Sequence, residues 1–231
     1  LISNDLIDFE KTIFLRKITL ENLWEQEREI RLFLSQDFDI YADPIGNTAA
    51  FKPENNGLLH YKRERYFLIN VLANAKFGID FYATGNKGTW QDAEDGILSN
   101  HPIAQGSVDS VLGIPLTLPA KSTCLCYYWI SMGKNWEEVL ELDRFVKKTT
   151  PAEIFRRTVD YWKLWADKER VNFKLLPDKV ARLYKRSLLI CRTQMNQSGS
   201  IIAANDSDAI QFNRDTYSYM WPRDGSLVAY A

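Results

Sequence analysis

CLCYYWISMGKNWEEVLELDRFV, residues Cys124 to Val146, decides the fold, because the spacing of its apolar side chains changes in the middle. Cys124 to Ile130 is rich in aromatic and β-branched residues and reads as a strand. Near Met132 the pattern switches. Asn135 followed three residues later by Glu138 is the signature of a helix N-cap with its reciprocal partner, and Val139, Leu142 and Val146 then recur at helical spacing. The chain is therefore expected to be β before this stretch and helical after it.

Upstream, from Leu1 to about Ile130, apolar residues follow a period of two between turn signals. Thr12 to Thr19 reads as a strand, Glu21 to Glu27 as a polar turn, and Glu29 to Phe38 as a second strand with Ile30, Leu32 and Leu34 on one face. These two runs are expected to form a hairpin. Asn55-Asn56-Gly57 supplies residues that tolerate positive φ in a tight turn, and Tyr66 to Leu72 and Phe77 to Tyr82 are further strands. No helical crossover intervenes, so the arrangement is an antiparallel sandwich rather than a parallel sheet.

Downstream, Thr150-Pro151-Ala152-Glu153 combines a threonine cap, a proline at the first helical position and a glutamate three residues after the cap. Ile154, Thr158, Trp162 and Trp165 fall on one side of this second helix, a stripe expected to pack against the sandwich. Pro177 opens a third helical segment with Val180, Leu183, Tyr184, Leu188, Cys191 and Met195 on its apolar face, ending at Ser198-Gly199. Its Lys and Arg residues lie mostly on the opposite, solvated face. The last residues read as the first turns of another helix. The expected organisation is 1-132 as part of an N-terminal β-sandwich domain, 133-176 as a helical linker, and 177-231 as the beginning of a further helical domain, truncated.

Among 231 residues, 45% are apolar and the formal charge is -1, which excludes a disordered chain and disfavours nucleic acid or an anionic membrane as partner. No run approaches the roughly 20 apolar residues of a membrane span, and no basic-apolar-small signal opens the chain. The sequence starts at Leu1, directly in a strand-like pattern, so an earlier segment is expected to be missing. The compartment is left open, leaning cytoplasmic. Cys124, Cys126 and Cys191 are odd in number and spaced for neither a disulfide framework nor a zinc site, and read as buried thiols. His60 and His101 are isolated and expected to hydrogen-bond at strand edges or in loops, so neither a metal nor a cofactor is expected.

Chemistry concentrates in Asp215 to Asp224, where Tyr217, Tyr219, Trp221, Arg223 and Asp224 gather beside a helix start. A guanidinium donates to hydroxyl oxygens in a fixed fork, a carboxylate accepts from vicinal hydroxyls, and rings exclude water, which together suit a neutral polyol. A surface Arg-Asp pair between core aromatics would use the same residues, and the residues alone leave both readings open. Asp92, Glu94 and Asp95 are too closely spaced in one turn to act as an opposed acid and base, and read as solvated turn acids.

The string YSYMWPRD at Tyr217 to Asp224, preceded by GSIIAA at Gly199 to Ala204, resembles the start of the catalytic domain of glycoside hydrolase family 15, the glucoamylases and their glucodextranase and trehalase relatives. DAEDGILSNHPIAQGSVDSVLGIPLTLP, Asp92 to Pro119, is similar to late strands of the N-terminal sandwich of prokaryotic members. FDIYADPIGNTAAFKPENNGLLHYKRERYFLI, Phe38 to Ile69, is similar to its middle. The resemblance implies an antiparallel, galactose mutarotase-like β super-sandwich, a helical linker and the start of an (α/α)6 barrel. It implies part of an exo-acting, inverting α-glucoside hydrolase that releases glucose from non-reducing ends. Carried over residue by residue, it implies that Arg223 and Asp224 hydrogen-bond the terminal glucose, Tyr217 faces the reacting ring and Trp221 shapes the pocket. The family's acid and base are glutamates later in the barrel, so no catalytic residue is expected in this chain, whose partners would be an α-glucan and the remainder of that barrel. The alternatives are a disaccharide phosphorylase-like enzyme, against which Trp221-Pro222-Arg223-Asp224 weighs, and a non-catalytic carbohydrate-binding sandwich, against which the unfinished helical domain weighs. Starch, dextran and trehalose are not distinguished.

Overall fold

Residues Thr123–Gly133 form a strand buried on both faces, which accounts for its nearly unbroken apolar composition. Cys126 and Tyr128 face the space between two sheets, whereas Trp129 faces a layer of helices. The computed structural model describes residues 1–168, 171, 173–196, 198–203 and 219–230.

In chain order the strands are β1 (Ile2–Ile7), β2 (Ile13–Glu21), β3 (Arg28–Asp37), β4 (Asn47–Lys52), β5 (Gly57–Lys62), β6 (Arg65–Ala73), β7 (Lys76–Phe77), β8 (Phe81–Asn86), β9 (Ile103–Gly106), β10 (Val108–Leu118) and β11 (Thr123–Gly133). One sheet has the order β1-β2-β11-β6-β5-β4-β9, with β7 paired to β6, and the other is β3-β10-β8. Every pairing between these strands is antiparallel. Ile18, Leu20, Leu58, Ile69 and Val71 of the larger sheet meet Leu112, Ile114, Leu116 and Leu118 of the smaller one in the main core. Burying each such side chain contributes about 1.5–3 kcal/mol, so this layer dominates cohesion.

The outer face of the larger sheet is covered by α1 (Trp136–Thr149) and the start of α2 (Pro151–Ala166). Ile13, Leu15 and Trp129 pack with Val146 and Ile154, and Leu59 and Leu68 with Val139. The sequence-derived caps are present. Asn135 Oδ1 accepts from the Glu138 N–H at 2.8 Å, and the Glu138 carboxylate accepts from the Lys134 N–H, one residue before the cap, at 2.8 Å. Thr150 Oγ1 accepts from the Glu153 N–H at 3.3 Å.

Two buried carboxylates tie the helices to the sheet. Asp143 accepts from the Trp129 indole N–H at 3.0 Å and pairs with Lys147 at 2.8 Å. Asp8, in the β1–β2 loop, accepts from Arg157 Nη2 at 2.6 Å and Thr158 Oγ1 at 3.2 Å.

Two strand expectations need correction. The runs starting at Thr12 and Glu29 do not form a hairpin, because β2 pairs with β1 and β11 while β3 crosses to pair with β10. Asn22 directs the crossing: its side-chain amide donates to the carbonyls of Gln26, Leu118 and Pro119 at 2.8, 3.1 and 2.9 Å, tying the corner to the end of β10. Phe77 to Tyr82 is likewise two strands. The chain turns at Gly78, whose φ of +110° suits glycine, and a Cβ there would meet Asn56 Cβ at 2.7 Å.

The chain divides into compact units Leu1–Thr158 and Val159–Ala231, the division falling within α2. The second unit contains α3 (Asp178–Thr193) and α4 (Pro222–Tyr230). Phe173 packs against Tyr184 with ring centroids 5.3 Å apart, and Lys185 pairs with Asp167. No residue of α3 or α4 is buried: Val180, Leu183 and Ile190 on α3 and Leu227 on α4 are all exposed. These helices do not close a barrel among the described residues.

Candidate functional site

Trp221 precedes α4 as its capping residue, since its carbonyl accepts the first helical hydrogen bond from the Gly225 N–H at 2.8 Å. Pro222 then occupies the first helical position, where its missing N–H costs nothing. Arg223 and Asp224 complete the first turn, and an acid there is favoured by the partial positive charge of the helix N-terminus.

The segment before α4 is anchored through backbone bonds. Past the end of α3, Met195 and Ile201 form an antiparallel bridge, and the Ile202 N–H donates to Gln194 O at 3.0 Å. The Ala203 N–H then donates to Tyr219 O at 3.1 Å. The sequence GSII thus forms a short hook that connects α3 to the aromatic segment; Gly199 supplies its turn with a φ of +87°.

At the helix start, Arg223 Nη2 lies 3.3 Å from Asp224 Oδ2, with the Arg223 side chain 81% exposed. So exposed a pair contributes little to stability, because water competes for both charges. It does place a forked donor and a two-oxygen acceptor side by side beside Trp221, which is 47% exposed, and the exposed Tyr219 and Met220. Adjacent donor and acceptor match the vicinal hydroxyls of a sugar ring. Tyr217, the fourth site residue expected from the sequence, lies outside the described residues.

The other residues weighed as chemistry have structural roles. Asp92 accepts from the Ser99 N–H at 2.7 Å and Asp95 from the Ile97 N–H at 2.8 Å, both shaping one loop. His60 is not at a strand edge. It sits in β5, an interior strand of its sheet, with Nε2 2.7 Å from Ser110 Oγ; that hydroxyl donates to Gln36 Oε1 at 3.0 Å. Because the serine proton goes to Gln36, His60 Nε2 is the donor, and Nδ1 is left buried without a partner. Burial holds the His60 pKa down at about 4, so the ring is neutral near pH 7. Of the cysteines, Cys126 is buried, and burial pushes its thiol up to about 12; Cys124 and Cys191 are partly exposed, contrary to expectation. Among the described residues no group of three or more His, Cys, Asp or Glu is placed to hold a metal, and no helix is long and apolar enough to cross a membrane.

Sequence reasoning missed Asp109, which organises the outer face of the smaller sheet. Its carboxylate accepts from the Gly88 N–H at 2.7 Å and Thr89 Oγ1 at 2.6 Å, holding the Thr89–Ala93 turn. An acid inside an apolar strand was the available signal.

No family model matches the chain. An uncharacterized glycosyl hydrolase of Methanocaldococcus jannaschii is 22% identical over 240 residues, which cover 98% of this chain and 37% of that protein. A crystal structure of a bacterial glucoamylase complexed with acarbose superposes with a TM-score of 0.67 at 18% identity, covering 87% of this chain and 30% of the glucoamylase. The chain spans about a third of the length of these relatives. It shares with the glucoamylase an antiparallel β-sandwich followed by helices, as the resemblance in the sequence implied.

Proposed function

We propose that this chain is part of an exo-acting, inverting α-glucoside hydrolase of the glucoamylase type, comprising most of an accessory sandwich (1-132), a helical linker (133-176) and the first helices of an (α/α)6 catalytic barrel (177-231). The observation that carries the reading is the juxtaposition of Trp221, Arg223 and Asp224 on an anchored, solvent-facing helix start. Its support is the glucoamylase fold and the sequence similarity to a glycosyl hydrolase along nearly the whole chain. The uncovered apolar residues of α3 and α4 fit helices that pack against further helices.

In this reading Arg223 donates and Asp224 accepts hydrogen bonds with hydroxyls of the non-reducing terminal glucose, while Trp221 and Tyr217 wall the ring. The acid and base come from later segments of the barrel. Inverting hydrolysis needs two carboxyls roughly 6.5–9.5 Å apart across the glycosidic bond, one protonating the leaving oxygen and one activating water. Arg223 and Asp224 position the sugar between them.

The test is kinetic. In the complete enzyme, Arg223→Ala and Asp224→Ala should each lower kcat/KM on maltose by roughly ten- to a hundredfold, as expected for a lost charged hydrogen bond. Unchanged kcat/KM in both variants would overturn the assignment. Proton NMR of the first product should show β-glucose, and release of α-glucose would contradict inversion.

A further inference from the structure

We propose that the concavity between the end of β3, the turn Ile40–Ala42 and the start of β6 is a second carbohydrate subsite, which holds a stretch of α-glucan chain on the sandwich. The cavity has a volume of about 390 Å³. Phe38 and Phe67 form its apolar wall, stacked with centroids 4.8 Å apart and planes 15° from parallel. Tyr41 also lines it, 48% exposed, with the Arg65 guanidinium 5.7 Å from its ring centroid.

The backbone beneath Tyr41 is the informative feature. Tyr41 has φ 65° and ψ 27°, and Ala42 follows with φ 53°, so two consecutive residues with side chains occupy the left-handed region. Glycine or asparagine adopts that region at lower cost, and a bulky side chain there is strained. Residues held in this region cluster at ligand clamps; Arg63, Ala75 and Lys121 take positive φ in turns between strands as well, so the conformation of Tyr41 counts here together with the cavity and the rings beside it. In this fold the ring is not needed for burial, since half of it faces solvent.

The charges define the ligand. Asp37 and Asp39 are bridged by Lys87 Nζ at 3.4 and 2.8 Å, and Arg65 adds a second cation, so two carboxylates face two cations and the surface is balanced. A balanced surface does not select an anion or a cation. It presents interleaved acceptors and donors beside aromatic rings, which is the chemistry of hydroxyls around an apolar ring face. Arg65 keeps donors for a ligand, since its hydrogen bond to Glu64 O is long at 3.4 Å. Naming the ligand an α-glucan rests on the function proposed above. The subsite itself lies within Leu1–Thr158, apart in sequence from Arg223 and Asp224.

The probe is maltoheptaose, titrated into the protein with binding followed by calorimetry and by NMR saturation transfer. Tyr41→Gly removes the ring while suiting the left-handed backbone, so its Tm should equal or exceed that of the parent. Its affinity for maltoheptaose should fall roughly tenfold. Arg65→Gln, at an exposed position, should weaken binding in the same direction. Tyr41→Gly should lower the affinity by the same factor in an Asp224→Ala background as in the parent, and should leave kcat/KM on maltose unchanged, which separates this subsite from the helical one, whose fate is read independently from maltose turnover. Parent-like affinity in both Tyr41→Gly and Arg65→Gln, or no binding by the parent, would overturn the proposal.

Discussion

Removing the Asp8 carboxylate should destabilise the first unit more than any surface change, because one buried group serves two elements. The Asp8 side chain is 0% exposed. Oδ1 accepts from the Lys11 and Glu10 N–H groups at 2.8 and 3.1 Å and closes the β1–β2 turn. Oδ2 accepts from Arg157 and Thr158 and holds the start of α2. Asp8→Asn keeps Oδ1 for the turn but sets an amide donor against two donors, so it should cost about 1.5–3 kcal/mol, the worth of a charged hydrogen bond. Asp8→Ala also leaves Arg157 under-paired, with a 3.4 Å contact to Glu10 and the rings of Phe9 and Phe145 beneath it at 5.0 and 5.3 Å. Breaking a buried pair in this way costs about 3–5 kcal/mol. For a unit of this size that corresponds to a fall in Tm of roughly 6–20 °C. Urea unfolding followed by tryptophan fluorescence measures it, and a double-mutant cycle with Arg157→Ala isolates the coupling. A loss under about 1 kcal/mol for Asp8→Ala, or strictly additive effects in the cycle, would refute the reasoning.

Two further outcomes follow from the same structure. His60 has a folded pKa held at about 4 against an unfolded value near 6.5, so its stabilising contribution is complete above about pH 6.5 and is lost as pH falls towards 4; the total is about 3 kcal/mol. Urea midpoints at pH 7 and pH 4.5 should therefore differ more in the parent than in His60→Gln, and equal differences would contradict it. Asn135→Ala removes the cap of α1 and should cost about 1 kcal/mol, whereas Asn135→Asp should cost less than half of that, both measured as urea midpoints.

The strands were legible because their causes are local. Alternation and turn residues mark where a strand runs, and Asn55-Asn56-Gly57 falls where β4 turns into β5, with Asn56 at φ 50°. The partner of each strand was not legible in the same way. β2 and β3 lie on opposite sheets, and the corner between them is tied by the Asn22 side chain to carbonyls nearly a hundred residues away, a contact that no window of sequence contains. Helix starts were read well for the opposite reason, since cap and first turn lie within four residues and satisfy N–H groups that the helix itself cannot. The burial of His60 had no sequence signal, because its partners Ser110 and Gln36 come from the facing sheet.

For the sites the contrast is sharper. Trp221, Arg223 and Asp224 could be singled out because their chemistry is contiguous and sits at a helix start, so proximity in sequence guarantees proximity in space. That guarantee reaches one side of any pocket. The opposing walls come from distant parts of a chain, as happens at Tyr41, where β3 and β6 meet although almost thirty residues separate Asp37 from Arg65. Tyr41 lies in FDIYADPIG, whose composition announces a turn but not which residue takes positive φ. Turn chemistry would assign that conformation to glycine, asparagine or aspartate, and the structure gives it to a tyrosine and an alanine with Asp43 and Gly46 nearby. A sequence rule fails at that point because it records the residues that minimise local strain. A residue kept against that rule must be held by surrounding structure or selected for its side chain, and a ring half in solvent is held by little. The Tyr41→Gly variant therefore separates the two causes: if neighbouring structure alone required the tyrosine, Tm would fall, and if the side chain is there for a ligand, Tm holds while sugar binding is lost.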